Sequence, residues 1–159
     1  MKSLPPVMIS ILTFGILLLQ TTPARAQAIK SPKDLLADGE VEAATELVFT
    51  EGPAYHRDGS VFFTDIANNR IMRLAAGAAS PQTFLQPSGR ANGLLFDSHG
   101  FLVVCEGNER GGLGGRRLSK IDVASQERTV IVDRFEGNRF NSPNDLCIDE
   151  RGRIYFTDP

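Results

Sequence analysis

The chain has no surplus of basic charge: 17 Lys and Arg stand against 19 Asp and Glu, a formal charge of −2 over 159 residues. That balance offers no electrostatic footprint for nucleic acid, and no basic helix is present to lie on a membrane surface. Cysteine is scarce. Cys105 and Cys147 are the only two, and no metal-ligand spacing can be built from them. Each lies in an apolar run that reads as a strand, so both are expected to be buried and unpaired, with a bridge between them the alternative in an exported chain. An apolar stretch of about twenty residues, enough to span a bilayer, is also missing. Long helical periodicity is absent, which argues against an alternating helix and strand architecture.

What is present begins with "MKSLPPVMISILTFGILLLQTTPARAQA". Lys2 precedes an apolar run from Val7 to Leu19, and Ala24-Arg25-Ala26 supplies small residues at a cleavage position. This is the order of a secretory signal peptide over residues 1–28. The expected location is therefore periplasmic or secreted, with no stable membrane association after cleavage. At 42% apolar and 23% charged residues, the chain has the composition of a soluble globular protein with a packed core.

From Glu51 onward the sequence repeats. "EGPAYHRDGSVFFTD" from Glu51, "NGLLFDSHGFLVVCE" from Asn92 and "NDLCIDERGRIYFTD" from Asn144 align without gaps, at offsets of 41 and 52 residues. In each, Gly59, Gly100 or Gly152 closes a turn between two apolar runs, and the second run is rich in β-branched and aromatic residues. That is the pattern of a tight hairpin. "IANNRIMRLAAG" and "PQTFLQPS" follow the first copy as third and weaker fourth strands, and "RRLSKIDVASQERTVIVDRF" supplies the same pair more clearly after the second. The extra length of the second unit is assigned to "GNERGGLGGRR". Four strands in about 40 to 50 residues is the spacing of a β-propeller blade. The expected fold is all-β, with residues 29–159 covering about two and a half to three blades of a larger, incomplete propeller.

Inner strands line a propeller's channel, so Glu51, Asn92 and Asn144 would ring one mouth of it. A carboxylate and amide oxygens converging on an axis suit a hard cation. The same residue types before Gly or Asp also serve as turn formers. Spacing leaves both readings open.

"TEGPAYHRDGSVFFTD", "ANGLLFDSHGFLVVCEG" and "NSPNDLCIDERGRIYFTDP" together resemble the SMP-30/gluconolactonase family, also called the regucalcin family, over roughly Phe49 to Pro159. The resemblance implies a six-bladed propeller with one divalent metal on its axis, Ca2+ first, with Zn2+ or Mg2+ as alternatives. It implies hydrolysis of a small-molecule lactone, or of phosphotriesters in a related branch. A non-catalytic binding propeller on the same fold is the rival reading. Carried over residue by residue, the metal ligands fall on Glu51 and Asn144. Asn92, Asp145 and Arg139 fall in the substrate pocket, with Asp145 alternatively capping the backbone. Two more residues separate Arg139 from "ND" than the family pattern has. The catalytic aspartate is expected beyond residue 159, so none of these positions is assigned as acid or base. Gly107 follows Glu106 where the subgroup often carries histidine. His56 and His99, inside the hairpin turns, are expected to face solvent. "GGLGGRR" fails the spacing of a dinucleotide-binding loop.

Overall fold

Turn chemistry sets the strand boundaries. The structure, a computed structural model, describes residues 49–108 and 114–159; the expected leader and any strand between residues 29 and 48 lie outside them. In the hairpin between β1 (Thr50–Tyr55) and β2 (Val61–Asp65), the His56 amide donates to the Ser60 carbonyl at 2.8 Å, and the Gly59 amide to the His56 carbonyl at 2.9 Å. Asp97 and Gly100 repeat that closure between β5 (Ala91–Phe96) and β6 (Leu102–Glu106), as do Asp149 and Gly152 between β11 (Leu146–Ile148) and β12 (Ile154–Phe156). The three turn glycines have φ of 88°, 90° and 76°, a region costly for residues with a Cβ. The expected hairpins are therefore present.

After β2 come β3 (Arg70–Leu74) and β4 (Gln82–Leu85), and after β6 come β7 (Arg117–Ile121) and β8 (Arg128–Val132). Each set of four pairs antiparallel in chain order, giving two four-stranded meanders, the blades of the expected propeller. β11 and β12 form the inner hairpin of a third. One element departs from expectation. β9 (Arg134–Phe135) and β10 (Asn138–Arg139) form a separate two-stranded hairpin. The extra length of the second unit is thus shared between this hairpin and the residues 107–116 that separate β6 from β7, rather than falling in "GNERGGLGGRR" alone.

The core sits between the first two blades. Phe62, Ile71, Ala91, Leu102, Val104 and Ile121 have no exposed surface, and Phe62 meets the Phe84 and Phe96 rings edge to face at 5.0 and 5.3 Å. Burying one such large apolar side chain contributes about 1.5–3 kcal/mol. β6 is buried at all five positions, whereas the outer strand β8 exposes its middle three. This stacking of blades holds the inner strands side by side: β1 packs on β5, and β5 on β11.

An ion pair recurs with the repeat. Asp65, fully buried, ends β2 and accepts from Arg70 Nε at 2.9 Å, with Arg70 Nη2 at 2.8 Å. Glu106, fully buried, ends β6 and accepts from Arg117 Nε at 2.8 Å and from Ser119 Oγ at 2.5 Å. In both blades acid and arginine are direct cross-strand partners.

Candidate active site at the strand openings

Each inner strand opens on Glu51-Gly52, Asn92-Gly93 or Asn144-Asp145. In the first two, the pairing register slips by one residue at the opening, a β-bulge that turns the strand end. The glycines have a packing reason. A Cβ on Gly52 would stand 2.2 Å from the Asn92 carbonyl oxygen, and one on Gly93 would stand 2.7 Å from Asp145 Cα and 2.8 Å from the Asn144 carbonyl oxygen. Hydrogen bonds join the same points: Thr64 Oγ1 donates to the Asn92 carbonyl at 3.2 Å, and the Gly93 amide to the Asn144 carbonyl at 2.7 Å. Main chain at 51–52, 92–93 and 144–145 therefore touches in succession across three blades.

Along that row Glu51 and Asn144 are exposed and Asn92 is half-buried. None of the three side chains has a hydrogen bond or ion pair among the described residues. Their oxygens are thus available to a ligand, and the donor set of one carboxylate and two amides is the kind a hard cation takes. Among the described residues no three His, Cys, Asp or Glu side chains gather as a metal cluster.

The third opening is held more tightly than the others. The Asn144 amide donates to the Thr157 carbonyl at 2.9 Å, and the Asp145 amide to Thr157 Oγ1 at 3.1 Å. Pro143 is buried and fixes its own φ. Both Asp158 oxygens accept from the loop, Oδ2 from the Asn141 amide at 2.8 Å and Oδ1 from the Ser142 amide at 2.6 Å. Ser142 Oγ in turn accepts the Asn108 amide at 3.0 Å. Asp158 was not among the residues expected from sequence. The signal was the repeat itself, which aligns it with Asp65 and Glu106.

Asp145 stands where the first two copies carry glycine, and its Oδ1 accepts the Leu146 amide at 2.9 Å, capping its own strand. Arg139 lies in β10 and donates from Nη2 to the Gly115 carbonyl at 2.6 Å, while Arg116 Nε donates to the Phe140 carbonyl at 2.6 Å. These two bonds tie Gly115 and Arg116, just before β7, to the segment leading into Asn144.

Two expectations need correcting. His56 does not face solvent: its side chain is 13% exposed, lies 4.8 Å from the Phe96 ring centroid, and brings Nδ1 within 2.8 Å of Asp58. His99 is exposed as expected. Both sit at the hairpin ends, about 15 Å along the inner strands from the openings. The cysteines also differ from each other. Cys105 is buried, and burial first, with the Asp145 and Asp158 charges behind it, pushes its thiol up to about 12. Cys147, the middle residue of β11, is exposed among the described residues.

A cavity of about 830 Å3 is lined by Leu95, Phe96, Val130, Ile131, Ile148 and Ile154 together with polar residues that include Asp97, Lys120, Asp149 and Glu150. It lies between blade faces on the hairpin side and includes none of the opening residues. Arg139 instead borders a cavity of about 560 Å3 that also holds Phe140, Phe156 and Asp158.

The family model described as the SMP-30/gluconolactonase/LRE-like region matches residues 49–159. Among curated proteins, a gluconolactonase of Zymomonas mobilis subsp. mobilis is 35% identical over 130 residues, covering 73% of this chain and 35% of that protein. Among solved structures, a gluconolactonase from Xanthomonas campestris is 30% identical with a TM-score of 0.61, over 69% of this chain and 35% of that one. A putative gluconolactonase is 30% identical with a TM-score of 0.69, over 82% and 44% respectively. The chain thus spans about a third of the length of the curated relative it matches.

Proposed function

The chain belongs to the SMP-30/gluconolactonase/LRE-like family, and from that premise we propose that it forms part of an exported, metal-dependent lactone hydrolase of the gluconolactonase type. The observation that supports this reading most directly is the row of touching strand openings. It carries the uncommitted oxygens of Glu51, Asn92 and Asn144 on adjacent inner strands. The leader at residues 1–28, outside the described residues, supports export to a periplasm or the medium.

In this reading the Glu51 carboxylate and the Asn144 amide oxygen hold a divalent cation, Ca2+ before Zn2+ or Mg2+. Such a cation, when bound, supplies Lewis acidity toward a carbonyl oxygen and a binding site for water. Asn92 hydrogen-bonds substrate hydroxyls from the neighbouring strand. Arg139 borders the cavity of about 560 Å3, which includes none of the three opening residues, and its guanidinium already serves the Gly115 carbonyl, so its part in substrate binding rests on the family resemblance. Asp145 keeps its strand end in shape through the Leu146 amide. The net reaction adds water to the lactone carbonyl carbon, breaks the ring carbon–oxygen bond, and yields a hydroxy acid that ionises near neutral pH. Glu51 acts as ligand, and the acid–base role is assigned to none of these residues.

The test uses protein expressed from its complete reading frame. Hydrolysis of D-glucono-1,5-lactone is followed by proton release with calcium, zinc or magnesium, and with chelator. Turnover should depend on the cation. Glu51→Gln should lower cation affinity and turnover together while changing the unfolding free energy of the metal-free protein by no more than a surface substitution does, about 0.5 kcal/mol. Full turnover in chelator would refute the metal role. Absence of turnover with every cation would favour a binding propeller, and cleavage of phosphotriesters instead of lactones would move the assignment to that branch.

A further inference from the structure

The third copy of the repeated acid has a different partner from the first two. Asp65 and Glu106 are spent on the arginines that begin the next strand of their own blades. Asp158, at the same repeat position, instead binds the two consecutive amides of Asn141 and Ser142. The contrast with the second blade is specific. There the Arg90 amide, the counterpart of the Ser142 amide, donates to Asn69 Oδ1 rather than to Glu106.

We infer that Asp158 is a positioning residue for Asn144, an inference that rests on Asn144 being a metal ligand. A carboxylate is acceptor-only and makes short, charge-assisted bonds to amide N–H groups, so Asp158 fixes two successive peptide planes at once. Pro143 then removes rotation about its own φ. Only one residue with free torsions, Ser142, separates that clamp from the proline, and its hydroxyl is taken by the Asn108 amide. On the other side, Asn144 is held through its amide by Thr157 and through its carbonyl by Gly93. Every one of these bonds is made by backbone or by a neighbour. The Asn144 side-chain oxygen is left in place and uncommitted, as a ligand held by an outer layer of hydrogen bonds should be.

The experiment uses the protein from its complete reading frame, titrated with calcium alone by calorimetry. Amide exchange at Asn141 and Ser142 is measured in the metal-free state. Asp158→Asn puts an amide NH2 against one of the two donors, so exchange at those amides should quicken and calcium affinity should fall about tenfold or more. Asn144→Ala should itself lower calcium affinity. In the Asn144→Ala background, adding Asp158→Asn should cost no further affinity, because the positioned ligand is gone. A merely structural role would weaken binding equally in both backgrounds, and that result would overturn the inference. Unchanged affinity in Asp158→Asn with a loss in Asn144→Ala would overturn it too. If Asn144→Ala leaves affinity unchanged, the metal reading fails, and the inference with it. Should Asp158→Asn not fold, Asp158→Glu keeps the charge while moving the oxygens by one methylene. The same quickened exchange and the same non-additive loss are expected, and their absence counts against the proposal.

Discussion

Gly93→Ala tests the contact on which the row of strand openings depends. The added methyl would stand 2.5 Å from Asp145 Oδ1, 2.7 Å from Asp145 Cα and 2.8 Å from the Asn144 carbonyl oxygen. The first of these is a side-chain atom that can swing away; the other two are main chain and must shift bodily. Overpacking of this kind costs about 1–3 kcal/mol. Stretching the 2.7 Å bond from the Gly93 amide to the Asn144 carbonyl adds up to about 1 kcal/mol. Gly93 is not among the positive-φ residues, so alanine brings no conformational strain. The lower entropy of the unfolded alanine chain returns about 0.4–1 kcal/mol. The net loss, at middle values of the three contributions, is about 2 kcal/mol. With a urea m value of about 2 kcal/mol per molar, the midpoint should fall by about 1 M with m unchanged. Amide exchange at position 93 should quicken as well. Gly77→Ala is the control: Gly77 has φ +74°, but nothing lies within 4 Å of where its methyl would stand, so it should leave exchange at position 93 alone. An unchanged midpoint together with unchanged exchange at position 93 would refute the claim that the openings of the second and third blades are in direct contact.

The packing and the charges carry three more predictions. Phe62→Ala, at a site with no exposed surface, should destabilise the protein by about 3–5 kcal/mol, read as a lower urea midpoint; a loss below about 1 kcal/mol would mean the interblade core is not as described. Burial works to raise the Asp65 carboxyl, but bonds from Asn68 and Arg70 override it and hold the group below its ordinary value. Its stabilisation is therefore present above about pH 4 and lost as pH falls through the lower folded-state value. Asp65→Asn should cost about 3 kcal/mol at pH 7, the lower end for breaking a buried pair because Arg70 keeps 25% of its side chain in water, and should flatten the pH dependence of the midpoint below pH 4. In the 159-residue chain, a thiol reagent at pH 8 should titrate Cys147 rapidly and Cys105 only on unfolding, since Cys105 is buried with its thiol pushed up to about 12. Equal rates for the two would contradict the burial of β6.

The three hairpins and their spacing are readable from the sequence, because a turn glycine and a run of alternating apolar residues act within a few neighbours along the chain. The same gapless alignment marks Glu51, Asn92 and Asn144 as equivalent openings. What those openings touch is not readable. Gly52 and Gly93 look like turn residues, and only the packing of blades reveals them as points where one main chain presses on the next. His56 escapes a sequence reading because Phe62 and Phe96, which cover it, come from two different blades. Cys147 does so because its apolar run reads like that of Cys105, and burial depends on which elements the fold stacks against a strand. Asp65, Glu106 and Asp158 make the limit plain: one repeat position, three acids, and two kinds of partner. The periodicity of a chain encodes where its strands begin and turn, whereas the partner of a carboxylate depends on which backbone the folded blades carry to within about 3 Å of it.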